Sequence, residues 1–364
     1  MVVENVVENV VQSWVRNRLT SPRLHLDTAA CGRVSTAVLE AQVAHLQAEA
    51  AEGGYVAEAD NPLVEVGRQA LGGMVGLGTD DVAFLESGGA AFAVLLAAWP
   101  LPAGARIGIV PSEYGGNAAV LARLAAERGW SLVRLPVDPQ GRITAVPRDL
   151  DLVTFPQVPS QRGVAQPVQD VLRAGVPVVL DVAQALGQTP VPAGCAAYVG
   201  TSRKWLCGPR GVGFAVVDPS WQLRLASPPT LAPTVYDGVR RFESPEANVA
   251  GRAGLAVAAR EWSPALLGQV QGLATQARAL LAELAGWQVV EPVDEPTGIT
   301  TLRPTGAADP MEIRAKLLAD GIVTSVVPPS RAADMDGPVL RVSTAAWVTT
   351  ADLERLVSSI GSST

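Results

Sequence analysis

The sequence predicts an α/β fold with two domains: a large domain with a mostly parallel, helix-covered sheet, and a smaller α+β domain. From about residue 80 to about residue 217, helical patterns alternate with short apolar runs. That alternation is typical of strand–helix–strand units in a parallel sheet. A proline-rich segment at 227–233 follows, which marks an exit from the first domain. Two helical stretches and several short apolar runs come after it.

Each predicted element rests on an apolar run or a helical pattern of its own. An amphipathic helix is predicted at the N-terminus, and further helices are predicted to begin near Asn248 and Pro264. The strands predicted for the large sheet are 105–110, 131–135, 152–155, 176–180, 197–200 and 212–217. The strands predicted for the smaller domain lie near 287–290, 298–302, 322–326 and 339–342. The predicted large domain covers 26–235, and the small domain covers 1–25 and 236–364.

Composition excludes several classes of function. The chain has 364 residues and a formal net charge of −7, and no basic stripe is present to bind the phosphates of a nucleic acid. No apolar run approaches the length of a membrane-spanning helix. Glu4 and Glu8 interrupt the first apolar stretch, which is not the pattern of a secretory signal. We therefore expect a cytoplasmic protein with no membrane or nucleic-acid partner.

Cysteine and histidine are too few for metal or disulfide chemistry. The three cysteines, Cys31, Cys195 and Cys207, have no paired spacing, so neither a disulfide framework nor a zinc site is indicated. The two histidines, His25 and His45, give little basis for a histidine metal site or a serine–histidine triad. We therefore expect no metal.

One lysine and one aspartate form the most informative pair. Asp181 ends the apolar run 177–180, the pattern of a buried parallel strand that delivers an acid at its carboxyl end. Lys204 lies between an apolar run and a glycine-rich segment. Pyridoxal phosphate requires both groups: an amine that holds its aldehyde as an imine, and a carboxylate that keeps the pyridine nitrogen protonated. A strand-end aspartate alone is more often a helix cap, but the combination with Lys204 favours a catalytic site.

Several sequence blocks resemble the class-V aminotransferase family over nearly the whole chain. These blocks are HLDTAACGRVS from His25, EGGYVAEA from Glu52, SEYGGN from Ser112, QRGVAQP from Gln161, DVAQALG from Asp181 and SRKWLCGPRGVG from Ser202. Within the family they look most like a carbon–sulfur lyase. The resemblance implies an aspartate-aminotransferase-like fold, pyridoxal 5′-phosphate as cofactor, β-elimination on a cysteine S-conjugate, and a homodimer.

Two other functions stay open at this point. The first is an epimerase or aminotransferase that uses the same cofactor on another amino acid. The second is a non-enzymatic protein that keeps the fold, although the presence of Asp181, Lys204 and Arg341 together argues against it.

The resemblance also implies roles for individual residues. The turn before a helix at Gly89, Ala90 and Ala91 would bind the cofactor phosphate through main-chain N–H groups, although Ala91 lacks the hydroxyl that relatives have there. Tyr114 would stack on the cofactor ring, and Gln184 would bind its phenolic oxygen. The remaining cofactor contacts implied are Ser160, Thr201 and Arg203.

Substrate binding is expected from two further residues. Arg341, in the block VLRVS, matches the arginine that relatives use to bind the substrate α-carboxylate, and a guanidinium suits a carboxylate in a two-pronged contact. Tyr55, together with Glu52, is a candidate to contact a trimethylammonium group through its aromatic face. An ordinary turn is the simpler interpretation of that segment.

The chain departs from the family pattern in two places. The block that reaches the neighbouring subunit's phosphate in relatives is Ser244-Pro245-Glu246-Ala247-Asn248 here, without the threonine and with an acid. Cysteine desulfurases need a thiol on a loop before the arginine block, and residues 326–337 contain no cysteine. Persulfide chemistry is therefore not expected.

Overall fold

The structure, a computed structural model, describes residues 2–228 and 236–362. Helices and strands alternate through the first two-thirds of the chain, and four helices and five strands follow between 249 and 361. The helices are α1 (Val2–Arg16), α2 (Thr28–Cys31), α3 (Thr36–Glu52), α4 (Gly54–Ala59), α5 (Leu63–Val75), α6 (Gly88–Ala98), α7 (Gly115–Arg128), α8 (Val168–Leu172), α9 (Pro219–Gln222), α10 (Val249–Glu261), α11 (Ala265–Ala282), α12 (Pro310–Ala319) and α13 (Thr350–Gly361).

The strands are β1 (Leu24–His25), β2 (Val82–Leu85), β3 (Arg106–Ile109), β4 (Ser131–Arg134), β5 (Leu152–Pro156), β6 (Val178–Asp181), β7 (Ala197–Thr201), β8 (Gly213–Val217), β9 (Trp287–Val289), β10 (Ile299–Pro304), β11 (Ile322–Val323), β12 (Ser325–Val327) and β13 (Val339–Ser343). The strands from β3 onwards fall within one to three residues of the predicted runs, except that the run 322–326 forms two strands, β11 and β12; β1 and β2 lie outside those runs.

The large sheet has seven strands in the order β2-β8-β7-β6-β5-β3-β4. Strands β3 to β7 pair in parallel, and β8 pairs antiparallel with both β7 and β2. Only β8 is therefore reversed, so the predicted mostly parallel sheet is confirmed. The carboxyl ends of the other strands meet at one edge, which is where ligands bind in such sheets.

Apolar side chains cover both faces of this sheet. On one face Phe84, Phe155 and Phe214 are fully buried and pack with helix α5. On the other face Phe92 and Trp99 pack with α6 and α7. A sheet that is covered on both sides needs continuous apolar strands rather than alternating ones, and β5 and β8 are buried at every position.

The smaller part of the chain is built on an antiparallel sheet in the order β12-β13-β10-β9. Strands β1 and β11 form a separate parallel pair. Helices α11, α12 and α13 supply the apolar side chains that pack with the four-stranded sheet, including Leu281, Leu317 and Leu356. The predicted domain boundary at residue 235 lies outside the described residues. Helix α10, which follows this boundary in the chain, packs on α3 and α5 of the predicted large domain. Helix α1, at the N-terminus, contacts α11 of the predicted small domain.

A buried ion cluster fixes the edge of the large sheet beside the predicted phosphate turn. Glu243 binds the guanidinium of Arg68 and that of Arg252, and it also accepts the N–H of Phe84 in β2. All three charged side chains are almost fully buried. Removing one member of such a buried cluster leaves an uncompensated charge, which is strongly destabilising. Because Glu243 also accepts the N–H of Phe84, the cluster fixes β2, the strand that leads into α6.

Candidate active site

A cavity of about 300 Å³ lies at the carboxyl edge of the large sheet. The ends of β2, β5, β6 and β7 contribute to its wall, together with α7 and the strand β13. Nine of the residues predicted for the site line it: Gly89, Tyr114, Ser160, Asp181, Gln184, Thr201, Arg203, Lys204 and Arg341. The sheet topology therefore brings together side chains that are far apart in sequence.

Lys204 projects from a tight turn that follows β7. Ser202 closes this turn: its hydroxyl donates to the carbonyl of Pro209, and its own carbonyl accepts the N–H of Gly208. Cys207, whose N–H donates to the carbonyl of Lys204, has φ of 55°, and it is the only non-glycine residue with positive φ among the described residues. Such a left-handed residue persists only where its surroundings enforce it. The turn thus holds the lysine rigidly.

The amine of Lys204 has a pKa well below that of an ordinary lysine. Enclosure by the protein, together with the positive charges of Arg203, Arg341 and Arg331, lowers the pKa of Lys204 to about 7 against the opposing attraction of Asp181. A neutral amine is the form that attacks an aldehyde or accepts a proton.

Asp181 ends β6 with its carboxylate held in a fixed orientation. Its Oδ1 accepts the N–H of Ala183 at 2.8 Å, and its Oδ2 accepts a hydrogen from the amide of Asn117 at 3.0 Å. Burial raises the pKa of Asp181, while the nearby charge of Lys204 opposes that rise. A buried carboxylate of this kind is stabilised by a cation placed against it, which is what a protonated pyridine nitrogen provides.

Two residues behind Asp181 were not predicted from the sequence. Asn117 donates from Nδ2 to both Asp181 and Glu113, and the Oε1 of Glu113 also accepts the N–H of Tyr114. Burial and the charge of Asp181 raise the pKa of Glu113 to about 8. The block SEYGGN places Glu113 and Asn117 four residues apart, but Glu113 precedes α7, which begins at Gly115, so no helical spacing pairs them in the sequence.

The start of α6 offers an anion site on the cavity wall. Ser87 caps the helix and accepts the N–H of Ala90 on its hydroxyl and the N–H of Ala91 on its carbonyl. For the N–H groups of Gly88 and Gly89, no residue in 2–228 or 236–362 is an acceptor. Free N–H groups and the helix dipole favour a phosphate. A Cβ on Gly213 would lie 2.1 Å from the carbonyl carbon of Ser87, so this turn requires glycine beneath it.

Gln184 is held with its amide group towards the cavity. The indole Nε1 of Trp205 donates to its Oε1 at 2.9 Å, and its Nε2 donates to the carbonyl of Ala29 at 2.9 Å. Because an indole N–H can only donate, Trp205 fixes which end of the amide is the oxygen. One N–H of Gln184 is left for the predicted contact with the cofactor.

Arg341 lies in β13 and is almost fully buried. Its guanidinium donates to the carbonyl of Ser160 at 3.0 Å and to the hydroxyl of Ser325 at 2.8 Å, and it lies 3.3 Å from Asp27. Its Nε has no acceptor among the described residues, and the same holds for the hydroxyl of Ser160. Buried donors without partners are rare, and both line the cavity where a substrate carboxylate is predicted.

Tyr114 covers one side of the cavity. Its ring lies over the backbone of α7, since a Cβ on Gly116 would approach the ring to 2.6 Å. Tyr114 is 39% exposed, so part of the residue faces solvent. Its position is suited to stacking on a flat cofactor ring.

Three predicted site residues are not brought into the cavity of a single chain. Ala90 and Ala91 lie behind the first turn of α6 with their N–H groups already bonded to Ser87. Tyr55 is 79% exposed on α4, and Glu52 is exposed too. In the departing block, Asn248 caps its own helix α10 by accepting the N–H of Gly251.

Within 2–228 and 236–362, no helix is long and apolar enough to cross a membrane. The same ranges contain no group of three or more His, Cys, Asp or Glu side chains that could hold a metal ion.

Comparison with known sequences gives consistent results. A family model described as aminotransferase class-V matches residues 24–356. A probable hercynylcysteine sulfoxide lyase from Mycobacterium tuberculosis (strain CDC 1551 / Oshkosh) is 36% identical, and the match covers 98% of this chain and 94% of that protein. An isopenicillin N epimerase from Amycolatopsis lactamdurans is 29% identical over 56% of this chain and 57% of its own length.

Solved structures share the fold. The apo cysteine desulfurase from Thermococcus onnurineus NA1 superposes with a TM-score of 0.86 at 18% identity, over 96% of this chain and 97% of that one. The cystine C-S lyase C-DES in complex with cysteine persulfide gives a TM-score of 0.83 at 17% identity, over 94% and 98%. A C-DES mutant with glycine covalently linked to the PLP cofactor gives 0.83 at 16% identity, over 94% and 97%.

Proposed function

The chain belongs to the class-V aminotransferase family, and we propose that within it the protein is a carbon–sulfur lyase that acts on a cysteine S-conjugate. Its cofactor is pyridoxal 5′-phosphate. We propose hercynylcysteine sulfoxide as the substrate, with the sulfenic acid of ergothioneine, pyruvate and ammonia as the products of the enzymatic step; a thiol reductant then supplies the two electrons that convert the sulfenic acid to ergothioneine, with loss of water. The relative at 36% identity, matched along nearly its whole length, supports this substrate.

The donors in the cavity suit each part of the cofactor. We propose that the free N–H groups at the start of α6, with Thr201 and Arg203, hold the phosphate; Ala90 and Ala91 would support that turn from behind. Tyr114 would cover the ring, Asp181 would face the pyridine nitrogen, and Gln184 would bind the phenolic oxygen. Ser160, whose hydroxyl is buried without a partner, is a further polar contact. When bound, the cofactor supplies an electron-accepting ring that stabilises negative charge at the substrate Cα.

The chain's own residues perform the proton transfer and the positioning. Arg341 would bind the α-carboxylate and so fix which Cα bond is perpendicular to the cofactor ring. With a pKa near 7, Lys204 would accept the Cα proton on Nζ. The Cβ–S bond then breaks, the sulfur leaves with the bonding pair, and the three-carbon fragment is hydrolysed to pyruvate and ammonia.

An oxidised sulfur suits the proposed elimination. A sulfenate is a better leaving group than a thiolate, so the reaction does not require a separate acid to protonate the sulfur. The absence of cysteine in 326–337 removes the nucleophile that a desulfurase uses. The single observation that carries the lyase proposal is the set Asp181, Lys204 and Arg341 around one cavity that lacks this thiol.

The proposal is tested by supplying hercynylcysteine sulfoxide to the holoenzyme and measuring pyruvate and ammonia. We expect stoichiometric pyruvate, and slower release from the unoxidised thioether. Loss of optical activity without pyruvate would instead support the epimerase, and transfer of the amino group to a keto acid would support the aminotransferase. The absence of pyruvate from every cysteine sulfoxide tested would refute the lyase.

We further propose that the protein is a homodimer. Leu39, Val43 and Leu46 lie on one side of α3 and are 41%, 42% and 54% exposed, and Tyr55 and Val56 continue this apolar surface on α4. A partner chain that covered it would also bring Tyr55 near a cavity, where it is proposed to contact a trimethylammonium group. Sedimentation equilibrium should give twice the 37.8 kDa of one chain, and a monomer mass at micromolar concentration would contradict the dimer.

A further inference from the structure

Arg331 is a cation that lines the cavity, and it has no role in the reaction proposed above. It ends a short 3₁₀ helix, Pro329–Arg331, in the loop between β12 and β13. The segment 326–337, which contains this loop, has no cysteine, and the guanidinium of Arg331 lines the cavity there.

The loop is fixed in place at two points. Asp334 forms an ion pair with Arg162 at 3.2 Å and accepts a hydrogen bond from the amide of Gln161 at 3.0 Å. At the other point the loop packs on the start of α7, where a Cβ on Gly115 would lie 2.7 Å from the carbonyl oxygen of Ser330. Only glycine allows that approach. These contacts hold the loop, and Arg331 within it, in a defined position at the cavity.

No acid in 2–228 or 236–362 forms an ion pair with the guanidinium of Arg331. Within the described parts of the chain it forms no ion pair or side-chain hydrogen bond, and its nearest ring is Tyr114, with 5.4 Å between the guanidinium carbon and the ring centroid. Its charge contributes to lowering the pKa of both Lys204 and Arg341. A cation that faces other cations and lines a cavity is stabilised by an anion that enters it.

The other two anions expected in the cavity already have their own donors. The phosphate has the start of α6, and the α-carboxylate has Arg341, which is held by Ser160, Ser325 and Asp27. Arg331 lies instead beside Tyr114, which is partly exposed to solvent. The leaving half of a cysteine conjugate must extend beyond the sulfur in order to leave, and the side of the cavity at Tyr114 is the route for it.

We infer that Arg331 is a specificity-determining residue that binds a second carboxylate, located on the leaving half of the cysteine conjugate. This inference rests on the proposed lyase function. Arg331 favours conjugates with an acidic leaving half over neutral conjugates of the same size. Hercynylcysteine sulfoxide belongs to the selected class, because its hercynyl part carries a carboxylate of its own.

The test compares two small substrates of equal size, the sulfoxides of S-carboxymethyl-L-cysteine and S-carbamoylmethyl-L-cysteine. Pyruvate release is measured for the wild-type holoenzyme, for Arg331→Gln, for Arg331→Lys and for Arg148→Gln, an exposed arginine outside the cavity that serves as control. Binding is measured separately with the two unoxidised thioethers, by the change they cause in the absorbance of the bound cofactor.

We expect Arg331→Gln to lower kcat/KM for the carboxymethyl sulfoxide about 10- to 100-fold, mainly through KM, since a hydrogen-bonded charge pair is lost. The carbamoylmethyl sulfoxide should change less than about threefold. Arg331→Lys should retain part of the preference because it keeps the charge but not the two-pronged geometry. The thioether Kd values should show the same selectivity, and Arg148→Gln should match the wild type.

Equal losses for the charged and neutral sulfoxides in both Arg331 variants would overturn the inference. If kcat/KM falls for both sulfoxides while the Kd of neither thioether changes, Arg331 acts on the sulfoxide oxygen. The assignment of a second carboxylate to Arg331 would then be wrong. Failure of the wild type to release pyruvate from any sulfoxide is a different result, because it refutes the proposed lyase itself.

Discussion

Replacing Lys204 with alanine is expected to lower kcat/KM for pyruvate release by at least about 10⁴-fold, because one side chain both holds the cofactor and moves the Cα proton. The chain contains only two lysines, Lys204 and Lys316. Lys316→Ala is therefore a natural control, since Lys316 lies on α12 with its amine bonded to Ser362. The steady-state rate of pyruvate release should be unchanged in that control. Activity within tenfold of wild type in Lys204→Ala would contradict the assigned role.

The lowered pKa of Lys204 gives this prediction a pH dependence. Burial disfavours the charged amine, so the neutral form appears as the pH rises through about 7. Uptake of added cofactor by the cofactor-free protein should therefore speed up between about pH 6 and pH 8 and then level off. Stopped-flow absorbance measures it. A rate that rises only near pH 10, as for an exposed lysine, would show that the amine is not enclosed.

Replacing Asp181 with asparagine is expected to lower kcat for pyruvate release by about 10²- to 10³-fold, with a much smaller effect on KM. Asparagine has nearly the same shape but no charge, so it cannot hold a protonated ring nitrogen opposite it. Asn117 and the N–H of Ala183, which both donate to Asp181, would also face an amide in place of a carboxylate.

The measurement is kcat under saturating substrate, together with the fraction of cofactor that stays bound after dialysis. Asp170→Asn is the matched control, because Asp170 is exposed and forms an ion pair with Arg173 on the surface. Full activity of Asp181→Asn would mean that the ring does not depend on a carboxylate, and the proposed orientation of the cofactor would then be wrong.

The strands and the edge at which the site forms could be predicted because they depend on local pattern. Asp181 ends an apolar run, and the carboxyl ends of parallel strands meet, so Asp181 and Lys204 come together as expected. The four short runs after residue 285 also form strands, because each is apolar and bounded by turn residues.

The residues that sequence reasoning missed act through tertiary contacts. Asn117 and Glu113 lie behind Asp181 because α7, which follows β3, reaches the end of β6 although β5 lies between these two strands in the sheet. The pattern of residues 112–117 alone does not indicate which acid they meet. Arg331 lies in a loop whose position depends on the remote pair of Asp334 and Arg162. Ala90 and Ala91 are predicted to bind the phosphate through their N–H groups, and in the structure Ser87 accepts these two N–H groups on its hydroxyl and its carbonyl.

The most direct measurement is to reduce the holoenzyme with borohydride, which converts a lysine–aldehyde imine to a stable amine, and to locate the modified peptide by mass spectrometry. With two lysines in the chain, the result is unambiguous. We predict one pyridoxyl phosphate group per chain on Lys204 and none on Lys316. Labelling of Lys316, or an unmodified Lys204 in protein that retains full activity, would contradict the account.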